Sequence, residues 1–262
     1  MANNDVIKRA RDSKEIMAFI FLTLFAIPAF LVFLLWSILS YGILLIWVGL
    51  GLLIGFFIRR FFAAYIKSNA VRVSEEQLPE IAQIARIFCE KASYSVPDIY
   101  VIQHNLWNAF AAKLAGKRVV VLYSGAVDSL LLTGDMKQLA WLVGHELGHH
   151  IAGHLDFWVQ LVEFFGSWCI WINLWYSRRR ELTCDNIGLL CADNLDSTLK
   201  AMANMTVGAQ LAHKINIDAA EKQWEAHRKE LFVRWKTVYS THPHNLCRIT
   251  EIRKKARELQ VA

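Results

Sequence analysis

Two histidines four residues apart with a glutamate beside the first, His145-Glu146-Leu147-Gly148-His149, are the residues of this chain best arranged for chemistry. On a helix, positions four apart lie one above the other, so both imidazoles can reach a single metal ion from the same side. A zinc ion held in this way keeps a position open for water, lowers the pKa of that water to about 7, and needs a carboxylate nearby to take the proton. Glu146 stands where that base is required. His150 and His154 are also four apart, but Ile151 occupies the place of the base. The first pair is therefore the better metal pair, and His150 and His154 read as polar-face residues or as supports of the ligands. The plain alternative is a surface helix rich in histidine.

A catalytic zinc site of this kind takes a third protein ligand, usually a carboxylate from a second helix. Glu181-Leu182-Thr183-Cys184-Asp185 places two acids four apart on an expected helix. Glu181 is the candidate ligand and Asp185 the candidate acceptor for the second ring N–H of a ligating histidine. A solvated acid pair balancing Arg178, Arg179 and Arg180 is an equal alternative from these residues alone.

These side chains need elements to hold them. Asp135 is a suitable N-cap for a helix over residues 136–154, with Leu139, Leu142, Val143 and Leu147 on its core side. Gly144 and Gly148 weaken that helix by up to ~1 kcal/mol each, a cost consistent with close packing of another backbone against it. Upstream, Ser74 and Gln77 have the spacing of a capping box opening a helix to about residue 92. Residues 99–102, 109–113 and 118–123 read as strands, the last two joined at Gly116, in a small and mostly antiparallel sheet. The expected fold class is thus mainly α with a small β-sheet, α+β.

The first quarter of the chain is of another kind. Residues 16–36 and 38–58 contain no charged side chain, and each run is long enough to cross a hydrocarbon core of ~30 Å as a helix. Pro28 kinks the first without forbidding it. Lys8, Arg9, Arg11 and Lys14 precede the pair, Arg59, Arg60, Lys67 and Arg72 follow it, and no charge lies between. The positive-inside rule then places both ends in the cytoplasm. The expected organisation is a cytoplasmic tail at 1–14, two transmembrane helices at 15–60, a linker at 61–73, and a catalytic domain at 74–262 facing the cytoplasm. Within that domain, residues 155–176 are apolar but interrupted by Asp156, Gln160, Glu163 and Asn173, with Trp158, Trp168, Trp171 and Trp175 suited to a membrane interface. A helical hairpin dipping into that interface is favoured over a third span, with Gly166 as the break and residues 178–180 snorkelling at the lipid surface.

Five scattered cysteines without a C-x-x-C pair fit a reducing compartment rather than a disulfide framework. The net charge of +6 lies largely beside apolar segments, which points to anionic lipid and not to nucleic acid, for which no motif is present.

Taken in order, the His145–His149 motif, the run Ser177-Arg178-Arg179-Arg180-Glu181-Leu182-Thr183-Cys184-Asp185, and Thr241-His242-Pro243 with Arg248 downstream resemble the M48 zinc peptidases, and within them the HtpX-like membrane proteases. The resemblance runs over roughly residues 74–260 and implies a zincin/gluzincin-type domain preceded by a transmembrane hairpin. It implies one Zn²⁺ per chain on His145, His149 and Glu181, Glu146 as catalytic base, and Asp185 as support. It places His242 near the metal, as an oxyanion stabiliser or a temporary occupant of the open position. It makes Asn108, Ala109 and Phe110 the start of an edge strand beside the cleft, where an extended peptide can add by main-chain hydrogen bonds. Asn108 as a simple turn residue is an equal alternative. His104, His213, His227 and His244 are read as surface residues. Residues 155–176 are shorter than the membrane segment usual between these motifs in HtpX-like members, and the many spans of the family's prenyl-protein proteases are missing. The implied function is a membrane-anchored zinc endopeptidase acting on extended or unfolded polypeptide, with membrane lipids as its other partner. The rival is a non-enzymatic or latent membrane scaffold on the same fold.

Overall fold

The structure, a computed structural model, describes residues 4–261. A short helix α1 (Asn4–Ala10) leads into two long apolar helices, α2 (Glu15–Leu39) and α3 (Ile43–Asn69), followed by strand β1 (Ala70–Arg72) and helix α4 (Pro79–Lys91). Strands β2 (Asp98–Ile102), β3 (Ala109–Leu114) and β4 (Lys117–Tyr123) come next. The helical remainder is α5 (Ser124–Leu131), α6 (Met136–Ile151), α7 (Phe157–Gly166), α8 (Ile170–Ala192), α9 (Leu195–Val207), α10 (Ala209–Ala212), α11 (Ile217–His227), α12 (Leu231–Val238) and α13 (Asn245–Leu259). The class is α+β, mainly helical, as the periodicities imply.

Helices α2 and α3 are both long and apolar enough to cross a membrane. No residue in the most apolar stretch of α3 is buried, which sets it apart from the core helix of a soluble protein. The helix nevertheless does not stop at residue 60. It runs on to Asn69, and residues 70–72 join the sheet, so the linker expected at 61–73 is a structured part of the domain. Ala63 and Ile66 explain this: both are buried, packed with Tyr100, Ile102, Val119 and Val121 on one face of the sheet.

The sheet has the order β1-β2-β4-β3. Its outer pairs are antiparallel, but β2 and β4 run parallel, because β4 returns from edge strand β3 into the middle of the sheet. The β3–β4 turn uses positive φ at Ala115 (50°) and Gly116 (81°), the backbone handedness that suits a two-residue hairpin. Alternation along β4 serves both faces. Val119 and Val121 face α3, while Val120 and Leu122 enter the main core with Leu139, Val143 and Leu147 of α6.

Two helix starts differ in an instructive way. Asp135 caps α6 as expected, its side chain accepting from the Lys137 N–H at 3.0 Å. Ser74 does not cap α4. Its hydroxyl accepts from the Gln77 N–H at 3.1 Å within a turn, and the helix begins at Pro79. Proline is suited to a first helical position, but it pushes the residue before it out of the helical region, so no helix passes through Leu78.

Residues 155–176 form two helical pieces, α7 and the first turns of α8, broken after Gly166. Both pieces pack along α2. Val159, Val162, Ile172, Trp175 and Tyr176 meet Ala18, Phe19 and Leu22, and the Trp168 indole donates to the Phe25 carbonyl at 3.1 Å. Trp158, Trp168 and Trp171 remain exposed. The arginines that follow do not reach outward. Arg178 donates to the Val238 and Ser240 carbonyls, Arg179 stands 3.7 Å from Asp12, and Arg180 pairs with Glu163 at 2.8 Å. Protein partners take the donors that snorkelling would have offered to lipid.

Candidate metal centre

The centre lies where α6 and α8 pack at close range. Glycine sets their separation: a Cβ on Gly144 would stand 2.3 Å from Cys191 Cβ, one on Gly148 would stand 3.2 Å from Cys184 Cα, and one on Gly188 would strike Trp141 at 2.7 Å. The expectation of close packing at Gly144 and Gly148 holds, and Gly188 contributes from the opposite side.

Across this contact, His145 Nε2 lies 3.5 Å from Glu181 Oε2, and His149 Nε2 lies 3.6 Å from Glu181 Oε1. The three ligand atoms lie within 4.8 Å of one another. Ligands ~2.0–2.1 Å from a tetrahedral zinc are about 3.3–3.4 Å apart, so this donor set fits such an ion with little adjustment. His145 and Glu181 are buried, and Glu146 beside them is buried too.

Support for the set comes from farther along the chain. His145 Nδ1 stands 2.9 Å from Asp185 Oδ1. Asp185 in turn accepts from Arg248 twice, from Nε at 2.8 Å and from Nη2 at 2.6 Å. Residue 248 reaches the site because α13 packs against α8 and α9. The carboxylate thus fixes the His145 ring with Nε2 turned toward Glu181, and the guanidinium fixes the carboxylate. Arg248, noted in the sequence without a role, is the residue that completes this support.

His242, at the foot of the loop before α13, places Nδ1 3.0 Å from Glu181 Oε2. Its side chain is 64% exposed, against 9% for Glu181. Asn108 precedes β3 at the cleft, but its side chain accepts from the Ala109 N–H at 2.9 Å, the behaviour of a turn residue. The Phe110 ring turns to the other face of the sheet, 6.0 Å from Phe62 of α3. What these residues offer the cleft is main chain. The cleft itself measures about 570 Å³ and runs from Trp107 and the β3 edge past His145, Glu146 and His149 to His242 and Arg248.

The remaining histidines divide. His150 and His154 are buried, which removes the polar-face reading, and His154 stands 3.4 Å from His149, where the reading as a support of the ligands would put it. His150 Nε2 meets the Val119 carbonyl at 3.1 Å, pinning α6 to the sheet. His154 lies beyond the end of α6, which stops at Ile151. His244 is half-buried against Trp224, while His104, His213 and His227 are exposed. His149, His154 and Cys184 make a second group able to hold a metal, but it shares His149 with the first.

The electrostatics are uneven across the site. Burial disfavours a charged ring at His145, yet Asp185 and Glu181 outweigh it and raise its pKa to about 10. Burial drives His149 well below its ordinary value against the pull of Glu181. Burial also raises the Glu146 carboxyl to about 7, with the His145 charge opposing. Glu181 lies well below its ordinary value, because hydrogen bonds from His145 and His242 overcome its burial. A base near neutrality thus stands beside a carboxylate that stays ionised.

Comparisons with known proteins bear on the family. Residues 75–173 and 159–256 match the family described as peptidase family M48. The plastoglobule-localized metallopeptidase 48, chloroplastic, of Arabidopsis thaliana is 25% identical over 213 residues, covering 73% of this chain and 61% of that protein. A protease HtpX homolog of Thermodesulfovibrio yellowstonii is 26% identical over 139 residues, covering 50% of this chain and 47% of its own. Another, from Pyrococcus furiosus, is 22% identical over 252 residues, covering 81% and 86%. The chain therefore spans roughly half to three fifths of the first two relatives. No solved structure matches it. With the family match extending across the strand edge, both metal-facing helices and Arg248, the chain belongs to peptidase family M48, the family of the HtpX-like metallopeptidases.

Proposed function

We propose that the chain is a membrane-anchored zinc endopeptidase whose catalytic domain faces the cytoplasm and cleaves extended or unfolded polypeptide. The observation that carries this reading is the convergence of His145, His149 and Glu181 beside a buried Glu146. The donor set of two imidazoles and a carboxylate is the one zinc takes in catalytic sites. Bound there, zinc supplies Lewis acidity that polarises a carbonyl and acidifies water.

The chain's own residues do the rest. Edge strand β3 offers unpaired main-chain groups to an extended peptide and lays it along the cleft. Glu146, near neutrality, accepts a proton from the attacking water and passes it to the leaving nitrogen. Asp185 and Arg248 keep the His145 ring from turning. His242, whose contact with Glu181 raises its pKa against partial burial, is a ready proton donor and steadies the oxyanion. Helices α2 and α3 act as the two spans, and the exposed Trp158, Trp168 and Trp171 rest at the lipid interface.

Glu146→Gln tests the reading. The variant should keep zinc by elemental analysis and lose cleavage of casein or of a membrane-protein fragment, which a chelator should abolish in the parent. Undiminished cleavage by the variant removes Glu146 as base. Zinc binding without any cleavage by the parent would favour the scaffold.

A further inference from the structure

Behind His149 lies a buried cluster that the three-ligand site does not use. His154 is 1% exposed and Glu15 is 2% exposed, although they stand 139 positions apart in the chain. His154 Nδ1 lies 3.4 Å from His149 Nδ1 and 3.6 Å from Cys184 Sγ, while its Nε2 lies 3.3 Å from Glu15 Oε1. The second oxygen of Glu15 accepts from the Thr183 hydroxyl, and Arg11 stands 3.4 Å from the first.

The hydrogens in this row can be assigned by inventory. A neutral imidazole has one N–H and one lone pair. His149 turns Nε2 toward Glu181, where a ligand needs its lone pair, so its hydrogen is on Nδ1 and points at His154. His154 must accept there, which puts its own hydrogen on Nε2, aimed at the Glu15 carboxylate. The opposite assignment sets a lone pair against the Glu15 carboxylate and one N–H against another between His154 and His149, so both contacts of the row are lost. One consistent row of donors and acceptors therefore runs from the metal-facing side of His149 to the first residue of α2.

The segment entering α2 is tied down around the same place. Asn186 donates to the Ala10 carbonyl at 2.7 Å, Arg11 to the Ala152 carbonyl at 3.1 Å, and the Asp12 N–H to Thr183 Oγ1 at 2.9 Å. These contacts grip both metal-facing helices, α8 directly and α6 just past its end. An anchor needs no buried carboxylate at its root.

We infer that His154 and Glu15 are positioning residues for His149, and that docking of the α2 root on the domain and zinc binding at His145, His149 and Glu181 stabilise each other. The inference rests on that ligand set. Coupling of this kind is reciprocal: if the docked root holds the ligand in place, bound zinc must hold the root.

The experiment uses the full chain in detergent, with zinc affinity read by chelator competition and hydrogen exchange followed over residues 10–18. Outer partners of a ligating histidine are worth about 10–100-fold in metal affinity, so His154→Phe should weaken zinc by that factor. His154→Gln has an amide that can accept from His149 and donate to Glu15, and it should recover affinity to within about threefold of the parent. Zinc should slow exchange over residues 10–18 in the parent and do so less in Glu15→Gln. Parental affinity in His154→Phe overturns the inference, as does exchange at residues 10–18 that ignores zinc. Should His154→Phe fail to fold, Glu15→Gln decides on affinity: a drop supports the coupling, and a parental value ends it. A Glu181→Ala variant that still binds zinc like the parent overturns the ligand set itself, and is told apart because that failure does not involve residues 15 or 154.

Discussion

Replacing Arg248 by Met probes how the metal centre is held. The guanidinium makes two hydrogen bonds to Asp185, at 2.6 and 2.8 Å, and both side chains are buried. The variant leaves the carboxylate, at 1% exposure, without its cation and with His145 as its remaining side-chain partner. Breaking a buried pair from one side costs about 3–5 kcal/mol. At about 2–4 °C per kcal/mol for a domain of this size, the melting temperature should fall by roughly 6–20 °C at neutral pH. Removing both partners, in Arg248→Met with Asp185→Leu, leaves no stranded charge and should recover most of that loss. Zinc affinity should stay about 10–100-fold down in the double variant, because His145 has lost its acceptor. The pH dependence has a definite sign. Burial opposes ionisation of Asp185, but Arg248 and His145 lower its pKa below the ordinary 3.8. Its contribution in the parent is complete above that ordinary value and fades as pH falls through the lower folded value. In the single variant only the His145 contact is left to oppose burial, so the carboxyl takes up a proton at higher pH than in the parent and part of its penalty disappears. The stability gap between parent and variant should therefore narrow on acidification. A single variant that melts with the parent at neutral pH, or a double variant less stable than the single, refutes this account.

Three further outcomes are expected. Glu181→Ala should lose bound zinc, and equal zinc content by elemental analysis would take Glu181 out of the ligand set. Gly144→Ala forces a Cβ to 2.3 Å from Cys191 Cβ, so it should destabilise by roughly 1–3 kcal/mol in thermal or denaturant unfolding, where a neutral result would show that α6 and α8 can part freely. With Glu146 in its proposed role as base and burial raising its carboxyl to about 7, kcat/KM for a peptide should fall as pH drops below neutrality, and a flat profile from pH 5 to about 8 would contradict that role.

The metal-facing helix was legible because the needed information is local: a spacing of four, a cap at Asp135, and a core stripe of Leu139, Leu142, Val143 and Leu147. Glu181 and Asp185 were legible as a pair, and their resemblance to a family pattern raised them above a solvated alternative. What escaped depends on distant partners. Arg178, Arg179 and Arg180 look like lipid-seeking cations until Val238, Asp12 and Glu163 are beside them. Strand β1 is three residues at the end of a helix, and it exists because β2 has a free edge there. His154 reads as a helix residue only if the helix continues, and Gly153, at a φ of 79°, turns the chain away just before it. Glu15 had one local signal, an acid at the root of a long apolar helix, but nothing in its neighbourhood pointed to a histidine 139 residues on.

The glycine contact between α6 and α8 has a consequence for how the protein fails. Two of the three proposed ligand atoms ride on one helix and the third on the other, so a metal held there would act as a caliper across the seam. An opening of the helices by a fraction of an ångström leaves both hydrophobic faces largely covered but stretches every path from Glu181 to the histidines. Damage at the seam should therefore show first as loss of metal from a chain that is still folded, and only later as loss of the fold.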